Sequence, residues 1–102
     1  MVRGEPTYDL HRLQQLLGQG LVSSWIMGTA KQGAEQLGLG DEEIVDAVLE
    51  LTPQHLYKSM ESERCPGLWQ DVYHHEYRGL RLYIKLQMGV DGRAVVVQFK
   101  AR

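Results

Sequence analysis

Cysteine occurs once in this chain, at Cys65, so an intrachain disulfide and a Cys/Cys metal site within one chain are both excluded. A reducing cytoplasm is the compartment that this predicts. No apolar run approaches the ~18–20 residues of a membrane span, so no membrane contact is expected. The opening residues Met1-Val2-Arg3-Gly4-Glu5-Pro6 have no apolar stretch after the arginine and do not read as a secretory signal. A glycine-rich phosphate loop, a nucleophile elbow and a zinc-protease helix are missing too. So are internal repeats and low-complexity tracts.

What remains is a chain of 102 residues, 43% hydrophobic and 24% charged, the composition of one ordinary globular domain over residues 1–102. The net charge of −2 argues by itself against a nucleic-acid binder, but the average hides a split. Residues 1–54 carry three bases and eight acids, a formal −5, whereas residues 55–102 carry eight bases and five acids, a formal +3. Three of the four histidines (His55, His74 and His75) lie in that second half. Such a split suggests two halves facing different surroundings, although chance clustering produces it as readily on so short a chain.

Periodicity divides the chain at the same place. Leu10, Leu13, Leu16 and Leu17 recur at helical spacing, with Thr7 or Asp9 as cap and Gly18 and Gly20 as ends. A second helix is expected from about Ser24 to Leu37, with Ile26, Ala30, Ala34 and Leu37 on one face and weakened by Gly28 and Gly33. A third starts at Asp41 as N-cap, buries Ile44, Ala47, Val48 and Leu51, and stops before Pro53. The second half alternates with period two. Leu80, Leu82, Ile84, Leu86 and Met88 interleave with Arg81, Tyr83, Lys85 and Gln87, giving one apolar and one cationic face. Asp91-Gly92 predicts a hairpin turn into a strand from about Ala94 to Lys100. Further strands are expected at about Trp69 to Tyr77 and His55 to Met60, with Glu61 to Gly67 as a surface loop. The expected architecture is α+β, with N-terminal helices packed on the Leu82/Ile84/Leu86 face of a C-terminal antiparallel sheet. The face of Arg81, Tyr83 and Lys85 is then left to solvent or a ligand.

Arginine and lysine grip phosphate, and tyrosine stacks on a base or donates to a phosphate oxygen, so this face fits an RNA platform as well as an ordinary solvated surface. His74 and His75 point to opposite faces of a regular strand and cannot chelate one ion; either one titrates near neutrality and suits proton transfer. Lys58 sits among apolar neighbours, where a lysine snorkels or lines a site. Cys65, in a polar loop before Pro66, reads as an incidental exposed thiol.

Four stretches, Leu56-Tyr57-Lys58-Ser59-Met60, Trp69-Gln70-Asp71-Val72-Tyr73, Tyr83-Ile84-Lys85 and Val97-Gln98-Phe99-Lys100, resemble the MqsR (motility quorum-sensing regulator) toxins of type II toxin–antitoxin systems. Pro6, Leu10, the Gly20-to-Val22 neighbourhood and Glu35-Gln36-Leu37-Gly38-Leu39 extend the likeness, while 23–34 and 61–68 fit poorly. The resemblance implies a RelE-like bacterial ribonuclease fold and ribosome-independent, metal-independent mRNA cleavage with GCU-type preference, arresting translation and growth without a cofactor. It implies a cognate antitoxin with a zinc domain and a helix-turn-helix domain, operator DNA being bound only through that antitoxin. The family's catalytic lysine, glutamine and tyrosine fall on Lys58, Gln70 and Tyr83, and a further basic residue on Lys100. Beside them, Arg81 and Lys85 are candidate RNA contacts and His74 a candidate for proton transfer. The competing expectation is a degenerate, non-catalytic domain that binds an antitoxin or RNA.

Overall fold

The computed structural model describes residues 1–102. Strand β1 (Val2–Arg3) is followed by helix α1 (Leu10–Gly18), β2 (Ser24–Ile26), α2 (Gly28–Gln36) and α3 (Asp41–Leu49). A single 3₁₀ turn (Pro53–His55) then leads into β3 (Leu56–Glu61), β4 (Trp69–Tyr77), β5 (Leu80–Met88) and β6 (Ala94–Ala101). Helices α1–α3 cover one face of a six-stranded sheet of order β1-β3-β4-β5-β6-β2. None of these helices is long and apolar enough to cross a membrane.

The antiparallel meander of β3 to β6 matches the alternating pattern, and β4 and β5 have the expected ends. Two expectations are corrected. The stretch from Ser24 to Leu37 is not one helix: Ser24-Trp25-Ile26 is extended and pairs in parallel with Ala94-Val95-Val96 of β6. The β-branched and aromatic residues there favour a strand, and only from Gly28 onward does the chain coil. The sheet is consequently mixed rather than purely antiparallel. The third helix begins one residue differently as well. Gly40 is the N-cap, and its N–H donates to the Glu43 carboxylate at 2.7 Å, so Asp41 occupies the first turn. Asp9 caps α1, its carboxylate accepting from the His11 N–H at 3.0 Å.

The core lies between helices and sheet. Leu10, Leu13, Leu16 and Leu17 of α1, Ala30 and Ala34 of α2, and Ile44, Ala47 and Val48 of α3 pack against Tyr73, Tyr77, Leu82, Ile84, Leu86, Val96 and Phe99. Leu51 joins them although it falls after the end of α3. Polar residues are buried as well, Ser59 and Asp71 completely. Asp71, fully buried, accepts from the backbone N–H groups of Thr7 and Tyr8 at 3.0 and 2.9 Å and ties the N-terminal segment to β4. Because every helix lies on one side, the opposite face of β3–β6 has no covering layer.

Candidate functional site

The uncovered face is ordered by strand register. Tyr83 on β5 stands opposite His74 on β4 and Lys100 on β6. One row along, Lys85 stands opposite Val72 and Gln98, and Val72 opposite Lys58 on β3. In the other direction Arg81 faces Glu76, and the Arg102 N–H donates to the Arg81 carbonyl at 2.8 Å. Period-two alternation thus gathers Lys58, His74, Arg81, Tyr83, Lys85 and Lys100 on one surface.

A bulge adds a residue that alternation does not reveal. Leu56 pairs with Tyr73 and Lys58 with Val72, which leaves Tyr57 as the extra residue of β3. Its ring lies on His74, centroids 4.1 Å apart and planes within 17°. His74 in turn lies 6.0 Å from Tyr83, so three aromatic rings run across β3, β4 and β5. Lysines surround the ladder: Lys58 Nζ is 5.4 Å from the Tyr57 ring, and Lys85 and Lys100 are 5.9 and 4.9 Å from the Tyr83 ring.

The electrostatics follow from this crowding. Lys58, Arg81, Lys85, Lys100 and Arg102 form no ion pair, whereas Lys31, Arg78 and Arg93 are paired to Asp41, Asp46 and Asp91. Burial lowers the Lys85 pKa, and the charges of Lys100 and Lys58 push it the same way, against a smaller pull from Glu63. Burial, Arg102 and Lys58 lower that of His74. The His74 Nδ1 lies 3.0 Å from an Arg102 guanidinium nitrogen. A guanidinium only donates, so Nδ1 accepts and the neutral ring carries its proton on Nε2. Burial and the neighbouring Tyr57 raise the Tyr83 pKa, which keeps the phenol protonated and able to donate.

Not every expected site residue gathers at one point. Gln70 shares the face but lies four residues from His74 along β4, about 13 Å at strand rise. It is 8% exposed, and its Nε2 donates to Gln87 Oε1 at 2.8 Å. It belongs instead to an adjoining groove of about 570 Å³, whose lining includes Trp25, Met60, Gln70, Lys85, Gln87 and Gln98. Lys85 connects the two regions, lining the groove while its ammonium stands near the Tyr83 ring. His75 points away from the face, bonding Glu50 at 2.8 Å, with the His55 ring 4.4 Å away. Cys65 is exposed. Tyr57 and Arg102 were not legible as site residues. The first depends on the bulge, and the second follows the last strand, beyond the alternating run.

A helix layer backing a mixed sheet, with the sheet's free face lined by unneutralised cations and aromatic rings, defines an α+β protein suited to gripping a polyanion. Residues 5–101 match the family described as motility quorum-sensing regulator, toxin of MqsA, and the chain belongs to that toxin family. Among curated proteins it is similar to the mRNA interferase toxin MqsR of Escherichia coli (strain K12), 26% identical over 102 residues that span 100% of both chains.

Proposed function

We propose that this chain is a sequence-selective mRNA endoribonuclease acting without ribosome or metal, the toxin of a type II toxin–antitoxin pair. One observation carries the reading: Lys58, Lys85 and Lys100 crowd around the Tyr57–His74–Tyr83 ladder on the uncovered sheet face, and none of them is in an ion pair. An RNA phosphate is the missing counter-charge.

Metal-free cleavage joins the 2′-oxygen to phosphorus as the bond from phosphorus to the 5′-oxygen breaks. The 2′-hydroxyl proton passes to a base, a proton reaches the departing 5′-oxygen, and cations hold the charge developing between them. Lys58 stabilises the phosphate, with Lys100 and Arg81 as electrostatic support. Its depressed pKa makes Lys85 a base candidate beside Lys58. Tyr83 orients the RNA and, as a protonated phenol, serves as donor to the leaving oxygen. His74 offers the RNA its Nε2–H as a hydrogen-bond donor rather than a lone pair, because Arg102 occupies Nδ1. Gln70, held by Gln87, reads a base edge in the adjoining groove instead of holding the scissile phosphate. GCU-type preference, growth arrest in the cytoplasm, a RelE-like relationship of the fold, action as a single unit over 1–102 and a zinc- and helix-turn-helix-bearing antitoxin that alone contacts operator DNA belong to the same proposal.

The test is incubation of purified protein with a GCU-containing transcript, with and without EDTA, followed by mapping of the ends. Discrete cuts unaffected by EDTA are expected, with Lys58→Ala and Tyr83→Phe each slowing them about 10²-fold or more. An intact transcript would leave only a binding domain, and unchanged rates in both variants would remove Lys58 and Tyr83 from the catalytic step.

A further inference from the structure

One end of the open face holds a second cationic feature. Arg81 and Arg102 are direct cross-strand neighbours, linked through the Arg102 N–H to Arg81 carbonyl bond of 2.8 Å. With His74, Glu76, His55 and His75 they line an all-polar recess of about 400 Å³. Both arginines line this recess, yet neither is within ion-pair distance of a carboxylate, Glu76 included, although it stands opposite Arg81 in the register. Elsewhere in the molecule Asp46 pairs with Arg78 at 3.8 Å and Asp41 with Lys31 at 3.1 Å. The Arg102 guanidinium also bonds His74 Nδ1, which fixes that arginine over the recess and leaves the neighbouring Nε2–H as a third donor.

We propose that Arg81, Arg102 and His74 form a subsite for a second RNA phosphate, one linkage from the scissile bond. The proposal rests on the nuclease reading for its substrate. Arg81 is two residues from Tyr83 along β5, a separation of about 6.7 Å at strand rise, which suits one backbone step of an extended single strand. Planar guanidiniums match the phosphate oxygens bidentately in a way lysines do not, which explains arginine at this end and lysine around Tyr83. The subsite would fix the register of the RNA, so that the 2′-hydroxyl of the chosen nucleotide lies at the Tyr83 row.

Two measurements test the subsite. The first is binding of a fluorescent RNA made uncleavable by 2′-O-methylation, measured across a salt series. Removing one phosphate contact with Arg81→Gln/Arg102→Gln flattens the slope of log K against log salt by about 0.7. Arg12→Gln, a loss of positive charge on the exposed side of α1 away from the open face, leaves the slope alone. The second uses cleavable RNAs with a neutral methylphosphonate one linkage to the 5′ or the 3′ side of the cut. One of the two raises the wild-type KM about tenfold, and the double variant does not sense the substitution. An unchanged slope, or a double variant as sensitive to the methylphosphonate as wild type, overturns the subsite. Failure of the nuclease reading looks different: wild type cuts nothing, while the salt series still reports on the two arginines.

Discussion

A methyl group added at Gly33 would overlap the carbonyl oxygen of Phe99, a backbone atom of β6 that no rotamer change moves aside. Helical propensity alone makes Gly33 a weak point of α2. Packing gives it the opposite sense, because the missing side chain lets α2 lie directly on β6 behind the Lys100 end of the open face. Gly28, by contrast, has nothing within 4 Å of the position a Cβ would take. The two substitutions therefore differ in sign. Gly33→Ala is expected to destabilise by about 1–3 kcal/mol through forced displacement of the helix, seen as a fall in Tm of roughly 4–8 °C per kcal/mol. Gly28→Ala is expected to leave Tm unchanged or raise it slightly by restricting the unfolded chain. Equal effects in thermal melts would refute the close-approach argument.

At the scale of elements, the alternating run of β5 was readable because a strand with one buried face must alternate, whereas β4 buries Gln70 to Tyr73 in succession. The bulges were not readable. Val97 is the extra residue where β6 shifts register, which lets Val96 and Phe99, three positions apart, both face the core. Tyr57 plays the same part in β3 and so joins the site. β2 escaped notice because three residues carry no period, and its parallel partner is distant in sequence. Tyr83 was legible as part of a cationic face and Lys58 as a lysine among apolar neighbours, whereas the separation of Gln70 from Tyr83 required the register. β1 shows the same dependence on long-range contact. Two exposed residues paired with Ser59 and Met60 do not hold a strand alone. The Asp71 carboxylate, bonding the Thr7 and Tyr8 N–H groups, holds the segment in place. Asp71→Asn keeps the shape but loses the charge and one acceptor, a cost of about 1–3 kcal/mol. Hydrogen exchange should then speed up at Thr7, Tyr8 and β1 while β5 keeps its protection; uniform acceleration would mean that the carboxylate supports the whole core instead.

Across the whole molecule, the charge split of the sequence becomes a split between layers. α3 opens with Asp41, Glu42 and Glu43 on the helical side, and the free side of the sheet carries Lys58, Arg81, Lys85, Lys100 and Arg102. A net charge of −2 is thus compatible with a locally cationic surface. Crowding on that surface also sets how stability responds to pH. Burial and nearby positive charge lower the His74 pKa; burial, with His75 adding to it, lowers that of His55. The folded protein therefore binds fewer protons at these rings than the unfolded chain, whose histidines titrate near 6.5. Their contribution is fully present above about 6.5 and is lost as pH falls through the lower folded values. At the alkaline end the sign reverses. Burial raises the pKa of Tyr8, Tyr77 and Tyr83, and burial with Asp71 and Asp9 pushes Tyr73 up to about 12. Unfolded phenols ionise near 10, so stability is expected to fall as pH rises from about 10 through 12. Urea unfolding followed from pH 5 to 11 should show a decline below about 6.5 and another above about 10, with the lowered Lys85 pKa adding a rise between them as the pH climbs toward 10. His74→Gln, which keeps an acceptor for Arg102, should flatten the acid decline by removing one of its two histidines. Stability that rises on acidification from pH 6.5 to 5.5, or an acid limb of the same steepness in His74→Gln, would show that burial, Arg102 and Lys58 do not hold His74 neutral. The neutral-donor role assigned to that ring would then fail with it.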